Sequence, residues 1–297
     1  MKQMNKVGFI GVGIMGKSMV RNLMKAGFEL HIYARTKSKV EDVIGEGAQF
    51  HESIKDCVQD CDAVITIVGF PQDVEEVYFD QGNILDSAKK GAYLIDMTTT
   101  SPQIAEKIYE EGTKRGFHVM DAPVTGGDTG AKAGTLSILV GGEKEDYEAC
   151  MPLFEAMGTN INYQGKAGCG QHCKLANQIM IAGTLSGVCE ALTYAKEQGL
   201  DPEVFMKSVA TGAAGSKQLD TFGPKILKDD YAPGFFMKHF IKDMKLALIE
   251  ANRKGLSLDV LSMVLANYEE LEQEGYGDLG TQALMKFYDE EHRNTEE

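Results

Sequence analysis

The sequence predicts two domains of different class: an α/β domain with a doubly wound, mostly parallel sheet, then an all-α domain, the two joined by a long interdomain helix. Three observations carry this. Short apolar runs of strand type alternate with helix-type segments from Val7 to Tyr163, the order that builds a parallel sheet with helices on both faces. The first run leads straight into Gly11-Val12-Gly13-Ile14-Met15-Gly16, a tight glycine turn before a helix. After Gly165 the strand pattern stops and apolar residues recur at helical spacing. The expected division is residues 1–164 for the α/β domain and 165–297 for the helical domain, with the long helix over about 170–198.

Val7-Gly8-Phe9-Ile10 reads as a buried strand, and the helix after the glycine turn runs from Lys17 to Ala26 and closes at Gly27. Further strands fall at Glu29–Ala34, Ala63–Val68, Ala92–Met97 and His118–Ala122. Leu136–Val140, a helix over Lys144–Met157 and a short strand at Asn160–Tyr163 extend the same domain. Gly170–Gln198 is rich in Ala, Leu, Ile and Met, with small residues at Ala182, Gly183 and Gly187. A helix apolar nearly all round is buried between domains or subunits, and small residues admit close helix contacts. Asp201-Pro202 starts a helix to Ala210, and two more follow at Lys238–Lys254 and Asp259–Glu272. The charged tail Asp289–Glu297 is expected to fray.

With 43% apolar residues in 297, the chain has enough to bury a core in each domain. Acidic residues outnumber basic ones by 44 to 30, for a formal charge of -14, so nucleic acid and anionic membranes are poor partners. No Cys-x-x-Cys pair occurs among the six cysteines, and no signal peptide is seen. They read as reduced thiols of a cytoplasmic protein, with no metal site. No apolar run reaches the ~18 residues of a membrane span.

The glycine turn has a mechanism as a dinucleotide site of Rossmann type. Its first glycine makes the tight turn, its second lets backbone approach a pyrophosphate, and its third lets helix pack on strand. The phosphates then meet the free N–H groups and dipole of the helix N-terminus. The second strand ends Ala34-Arg35-Thr36-Lys37-Ser38-Lys39, with no carboxylate to hold the ribose 2′-hydroxyl of NAD. A basic patch in an acidic protein suits a 2′-phosphate instead, which points to NADP(H) over NAD(H). The blander alternative is a solvated loop.

The strand His118–Ala122 runs into Asp121-Ala-Pro-Val-Thr125-Gly126-Gly127-Asp128. A glycine-rich loop at the carboxyl end of a parallel strand is where a doubly wound sheet places its ligand. The Thr125 hydroxyl and the N–H groups of Gly126 and Gly127 form a candidate nest for a carboxylate. Lys174 and Asn177, three apart, share a face of the long helix. An ammonium inside an apolar helix is expensive unless it has work to do. His172 and His239 read as surface or capping residues, His31 as a sheet residue, and Asp121 as ordering the loop after it.

Taken together, the glycine turn with Met15-Gly16, Asn22-Leu23 and Gly27, the segment from Asp121 to Gly134, the Lys174/Asn177 pair and Lys242-Asp243 resemble the β-hydroxyacid dehydrogenase family. That family includes 3-hydroxyisobutyrate dehydrogenase, tartronate semialdehyde reductase and glyoxylate/succinic semialdehyde reductases. The resemblance covers nearly the whole chain. It implies reversible hydride transfer between NAD(P) and a short β-hydroxyacid, with Lys174 as general acid/base and Asn177 positioning. Thr125, Gly126 and Gly127 would bind the substrate carboxylate, and Lys242 would lie near both substrate and cofactor. The loop Val68-Gly69-Phe70-Pro71 and the segment Thr98-Thr99-Thr100-Ser101-Pro102 would line the cofactor, the latter beside the nicotinamide ribose. Homodimers or homotetramers are implied as well.

The sequence departs from the family pattern at three places. Ala34 stands where an Asn usually precedes the cofactor-selecting Arg, Gln178 where a second Asn is common, and Lys217 where many relatives carry a large aromatic residue. With Lys217, Lys238 and Lys242 as candidate pocket residues, the substrate is expected to carry an anionic or polar distal group; the alternative leaves Lys217 and Lys238 on the surface. Two rival enzymes fit less well. 6-Phosphogluconate dehydrogenase shares the first motif but has a much longer second domain, and imine reductases typically lack the Lys. A non-catalytic NADP-binding sensor or scaffold is the alternative of a different class, and the presence of Lys174, Asn177 and Thr125 argues against it.

Overall fold

A computed structural model of the chain describes residues 4–288; the tail expected to fray lies outside them. Two compact units emerge, dividing between Lys174 and Leu175.

In the first unit the strands are β1 (Lys6–Ile10), β2 (Glu29–Tyr33), β3 (Gln49–Phe50), β4 (Ala63–Thr66), β5 (Tyr93–Asp96), β6 (His118–Asp121), β7 (Val124–Thr125), β8 (Leu136–Gly142) and β9 (Gly158–Gly165). They form one sheet in the order β3-β2-β1-β4-β5-β6-β8-β7, with β9 also pairing β8. From β3 to β6 every pairing is parallel. β8 runs antiparallel to both β6 and β7, then parallel to β9. The doubly wound expectation therefore holds.

Alternation along the strands explains why they read as unbroken apolar runs. Phe9, Ile65, Ile95 and Met120 enter one buried cluster. Ile10, Val64, Leu94 and Val119, their neighbours in sequence, enter another. Successive side chains point to opposite faces, so a strand covered on both sides is apolar at every position. Met19, Val20 and Leu23 of the helix Ile14–Lys25 pack into the first cluster.

Several elements differ from expectation. The single helix foreseen over Lys144–Met157 is two, Lys144–Ala149 and Met151–Met157. Pro152 lacks the N–H that would continue the first helix, and it sits comfortably in the first turn of the second. The strand β3 and the helices Gly127–Ala133 and Lys217–Ile226 were not foreseen. Gly, Thr and Asp are poor helix formers, and the second helix carries an internal Pro224.

The long helix spans Cys169–Glu197. It is not uniformly buried: Leu175, Ala182, Leu185, Cys189 and Leu192 lie inside, while Met180 and Tyr194 are exposed. By length and composition alone it could cross a membrane, contrary to the expectation that no segment is long enough. Its inward residues join a core with Phe240, Met244, Leu261, Val264 and Tyr268, as a core helix of a globular unit would. The second unit continues with the helices Pro202–Val209, Lys217–Ile226, Met237–Arg253 and Asp259–Gln273, followed by 3-10 turns. Asp201 caps the first of these by accepting from the N–H groups of Glu203 and Val204.

Candidate active site

The glycine turn is built as its spacing predicts. Gly11 has φ +98°, and a Cβ there would drive into the Ile67 carbonyl. A Cβ on Gly16 would strike the Gly11 carbonyl, whereas one on Gly13 would meet nothing within 4 Å. The outer glycines are thus demanded by the protein itself, and the middle one keeps an open approach for something else. Gly13 is the N-cap of Ile14–Lys25, offers no side-chain cap, and no acidic residue stands in the first turn. The N–H groups and dipole of this terminus present positive charge on the side that Gly13 leaves open. A dinucleotide pyrophosphate fits this cradle. Val12 is buried, Met15 half-buried and Ile14 exposed at its rim.

At the end of β2, Arg35 and Thr36 are exposed. The Arg35 guanidinium is 3.2 Å from Asp73 Oδ1. Asp73 also accepts, at Oδ2, the Phe70 N–H at 2.9 Å, closing the first turn of the helix Pro71–Phe79. Lys37 lies 5.0 Å above the Phe50 ring and 3.5 Å from Glu52. The basic patch foreseen there is real, but its charges are partly matched by carboxylates. Asp73 was missed; its position three residues after Phe70 is the capping signal that marks it.

Past the carboxyl ends of β4 and β5 a buried network joins the two loops predicted to line the cofactor. Thr98 Oγ1 accepts the Val68 N–H at 3.0 Å, and the Thr98 N–H donates to Asp96 Oδ1. Thr66 Oγ1 donates to the same oxygen at 2.8 Å and meets the Tyr78 hydroxyl. Asp96 Oδ2 has no hydrogen-bond partner among the described residues, and burial pushes this carboxyl up to about 6. Gln171 completes the network, donating from Nε2 to the Thr98 carbonyl at 2.7 Å and accepting the Thr100 N–H at 3.0 Å. Neither Asp96 nor Gln171 was singled out from sequence. The only signals were an acid ending an apolar strand and a buried amide in the first turn of an apolar helix. Thr99, between the tied residues, is half-buried.

Asp121 does not order the loop after it, as expected, but the start of the long helix. Its two oxygens accept the N–H groups of Gly168 and Gln171, each at 2.8 Å. Burial raises its carboxyl above the usual range against the pull of those donors. Thr125 ends β7 half-buried, and Gly126 and Gly127 follow exposed with φ of +131° and +64°, a backbone that glycine alone adopts cheaply. Lys174, in the second turn of the long helix, is 7% exposed.

In the second unit, Asn177 Nδ2 donates to Gln178 Oε1 at 2.8 Å, and Gln178 Nε2 donates to Asp243 Oδ2 at 2.7 Å. Lys242 Nζ is 3.2 Å from the other Asp243 oxygen. Two predicted residues, Asn177 and Lys242, are therefore joined through two that sequence reading noted only as a departure and as part of a motif. Lys238 lies 2.6 Å from Asp278, and Lys217 is exposed at the start of its helix. His239 stacks on Phe235 and meets Phe236 edge-on. His172 is exposed.

Two family models match the chain: the NAD binding domain of 6-phosphogluconate dehydrogenase over residues 6–165, and the NAD-binding domain of NADP-dependent 3-hydroxyisobutyrate dehydrogenase over residues 168–288. The chain is 49% identical to the uncharacterized oxidoreductase YkwC of Bacillus subtilis, over 95% of this chain and 98% of that protein. It is 44% identical to the probable 3-hydroxyisobutyrate dehydrogenase-like 1, mitochondrial, of Arabidopsis thaliana, over 94% of this chain and 84% of that one. Among solved structures, it resembles Mycobacterium tuberculosis 3-hydroxyisobutyrate dehydrogenase with L-serine. The TM-score is 0.87 and the identity 26%, over 96% of this chain and 99% of that one.

Proposed function

This chain belongs to the β-hydroxyacid dehydrogenase family, and from that premise we propose that it interconverts a short β-hydroxyacid and its semialdehyde, with NADP(H) preferred over NAD(H) and Lys174 as the general acid/base. The observation that carries the reading is Lys174 itself: an ammonium held 7% exposed on a helix whose start is tied to the segment predicted to flank the nicotinamide. Burying such a group is costly, which is the reason to look for its task.

The nicotinamide, when bound, supplies the hydride acceptor or donor. The cradle of Gly11, Gly13 and Gly16 would hold the pyrophosphate on the helix N-terminus, and Arg35 and Thr36 would hold the 2′-phosphate. Thr125, Gly126 and Gly127 grip the substrate carboxylate, which fixes the reacting carbon by its distance from that anchor. In oxidation, neutral Lys174 takes the hydroxyl proton as the alcohol carbon loses its hydride. In reduction, protonated Lys174 returns a proton to the carbonyl oxygen. Asn177 and Lys242 orient the substrate, and much of the gain is positional.

Shared chemistry among the relatives supports the substrate class. 3-Hydroxyisobutyrate and L-serine both carry a primary alcohol on the carbon β to a carboxylate and differ at the carbon between. With Lys238 committed to Asp278, an anionic distal group has less support than a short β-hydroxyacid. A cytoplasmic homodimer or homotetramer completes the proposal, supported by the small residues of the long helix, and a monomeric mass in solution would count against it. The test is NADPH oxidation with the semialdehydes of methylmalonate, tartronate and succinate and with glyoxylate, NADH in parallel. Turnover of a three-carbon-chain semialdehyde with NADPH is expected. NADPH binding without turnover of any of them would overturn the reading in favour of a sensor.

A further inference from the structure

We propose that Gln171 is a positioning residue, which fixes the backbone of Thr98–Thr100 against the helix turn that carries Lys174. This inference rests on the function proposed above for those two segments. Gln171 is 0% exposed, and both ends of its side-chain amide are engaged by backbone more than seventy residues away. Nε2 donates to the Thr98 carbonyl and Oε1 accepts the Thr100 N–H. Its own N–H donates to Asp121 Oδ2 at 2.8 Å.

The link is stiff at both ends. Thr98 is held on its other side by the Val68 N–H and by Asp96. The helix start cannot shift toward β8, because a Cβ on Gly170 would already strike the Leu139 carbonyl and sit 2.8 Å from Asp121 oxygens. Lys174 lies three residues on, hence on the same helix face as Gln171. Sliding either segment leaves a buried carbonyl or N–H unpaired, which resists the slide. The separation between the segment proposed to line the nicotinamide and the helix turn that carries Lys174 is thereby bridged directly by one side chain. A displacement of about 1 Å in such an arrangement is enough to lower turnover about 100-fold.

The informative variant is Gln171→Glu, which keeps the length and the acceptor toward Thr100. Its second oxygen faces the Thr98 carbonyl and bonds only when protonated. Above the carboxyl's pKa, kcat is expected to fall about 10- to 100-fold, with NADPH affinity within a few-fold of wild type. Lowering the pH should restore kcat along a titration that wild type lacks. With NADPH deuterated at C4, the primary isotope effect should rise as chemistry becomes limiting. A folded variant with wild-type kcat and isotope effect overturns the proposal. So does a loss of activity that merely tracks loss of folded protein, measured by circular dichroism, with no pH recovery. Hydrogen exchange on Gln171→Leu supplies an arm independent of turnover: protection of Thr98–Thr100 and of Gln171–Lys174 should fall together. Loss confined to one segment overturns the link. Wild-type protein that turns over no substrate would sink the functional reading alone, leaving the exchange experiment to decide the link.

Discussion

Replacing Asp96 by Asn should change how stability depends on pH, and the structure sets both the size and the sign. The carboxyl is 2% exposed. Thr66 and Thr98 donate to one of its oxygens, and the other has no partner among the described residues. Burial, opposed by those two donors and aided by the charge on Asp121, raises it from 3.8 to about 6. In the unfolded chain it returns to about 3.9. Two units at 1.36 kcal/mol each make about 3 kcal/mol of linked stability. Because the folded value is the higher one, this stability is fully present below about pH 4 and is lost as pH rises through about 6. The Asn variant has no such proton. Its amide can still accept from Thr66 and Thr98, and any cost of an unpaired N–H is independent of pH and cancels from the slope. Urea unfolding of both proteins between about pH 4 and about pH 7 should therefore show wild type losing about 3 kcal/mol relative to the variant as pH rises. A flat difference, or one of opposite slope, would mean that Asp96 is ionised throughout and that water or rearrangement reaches its second oxygen.

Other consequences follow from the same geometry. Lys174→Ala should lower kcat by roughly 10² to 10⁴ with NADPH binding nearly intact; unchanged turnover removes Lys174 from the mechanism. Arg35→Ala should weaken NADPH binding about 10-fold or more and leave NADH nearly unchanged, whereas Asp73→Asn, which releases Arg35 and keeps an acceptor for the Phe70 N–H, should shift selectivity toward NADPH by a few-fold. Titrating both cofactors against both variants checks this, and equal losses for NADH and NADPH in Arg35→Ala would refute it. The glycine turn separates folding from binding. Gly11→Ala, at φ +98° and against the Ile67 carbonyl, should destabilise by more than about 1 kcal/mol. Gly13→Ala, with open space around it, should keep its melting temperature and lose cofactor affinity, and the reverse pattern would refute the assignment of the two glycines.

What could be read from sequence, and what could not, divides along a physical line. The parallel strands were legible because both faces are covered and the apolar signal is continuous, as at Ala63–Thr66. The glycine turn was legible because Gly11 and Gly16 are each required by a close backbone carbonyl, Ile67 for the first and Gly11 for the second, while Gly13 faces open space. The helix Gly127–Ala133 was not, since its Gly, Asp and Thr resist helix formation and what holds it is remote in sequence: Ala131 is buried in the core and its carbonyl accepts from Asn22 Nδ2 at 2.7 Å. Asp121 was assigned to the wrong segment because sequence offers only neighbours within a few positions, whereas its carboxylate caps a helix start 47 and 50 residues away. Gln171 and Asp96 escaped for the same reason. A single polar side chain whose partners are backbone groups of a remote segment leaves no periodic trace.

The two buried amides on the long helix flank Lys174 without adding a charge beside it. Gln171 and Gln178 lie seven residues apart, on one face, with Lys174 between them. Each satisfies a donor and an acceptor at once: Gln171 on the backbone of Thr98 and Thr100, Gln178 on Asn177 and Asp243. A carboxylate at either position would make some of the same bonds but would put a buried charge on the helix and lose the donor. A hydroxyl is too short to reach two partners. The amide is the side chain that carries both hydrogen-bonding roles with no net charge. In the second unit the charge needed to hold Lys242 sits one bond further along, on Asp243. The departure from a second Asn to Gln178 is on this view a lengthening of the same neutral bridge, which preserves its chemistry while extending its reach to a carboxylate on another helix.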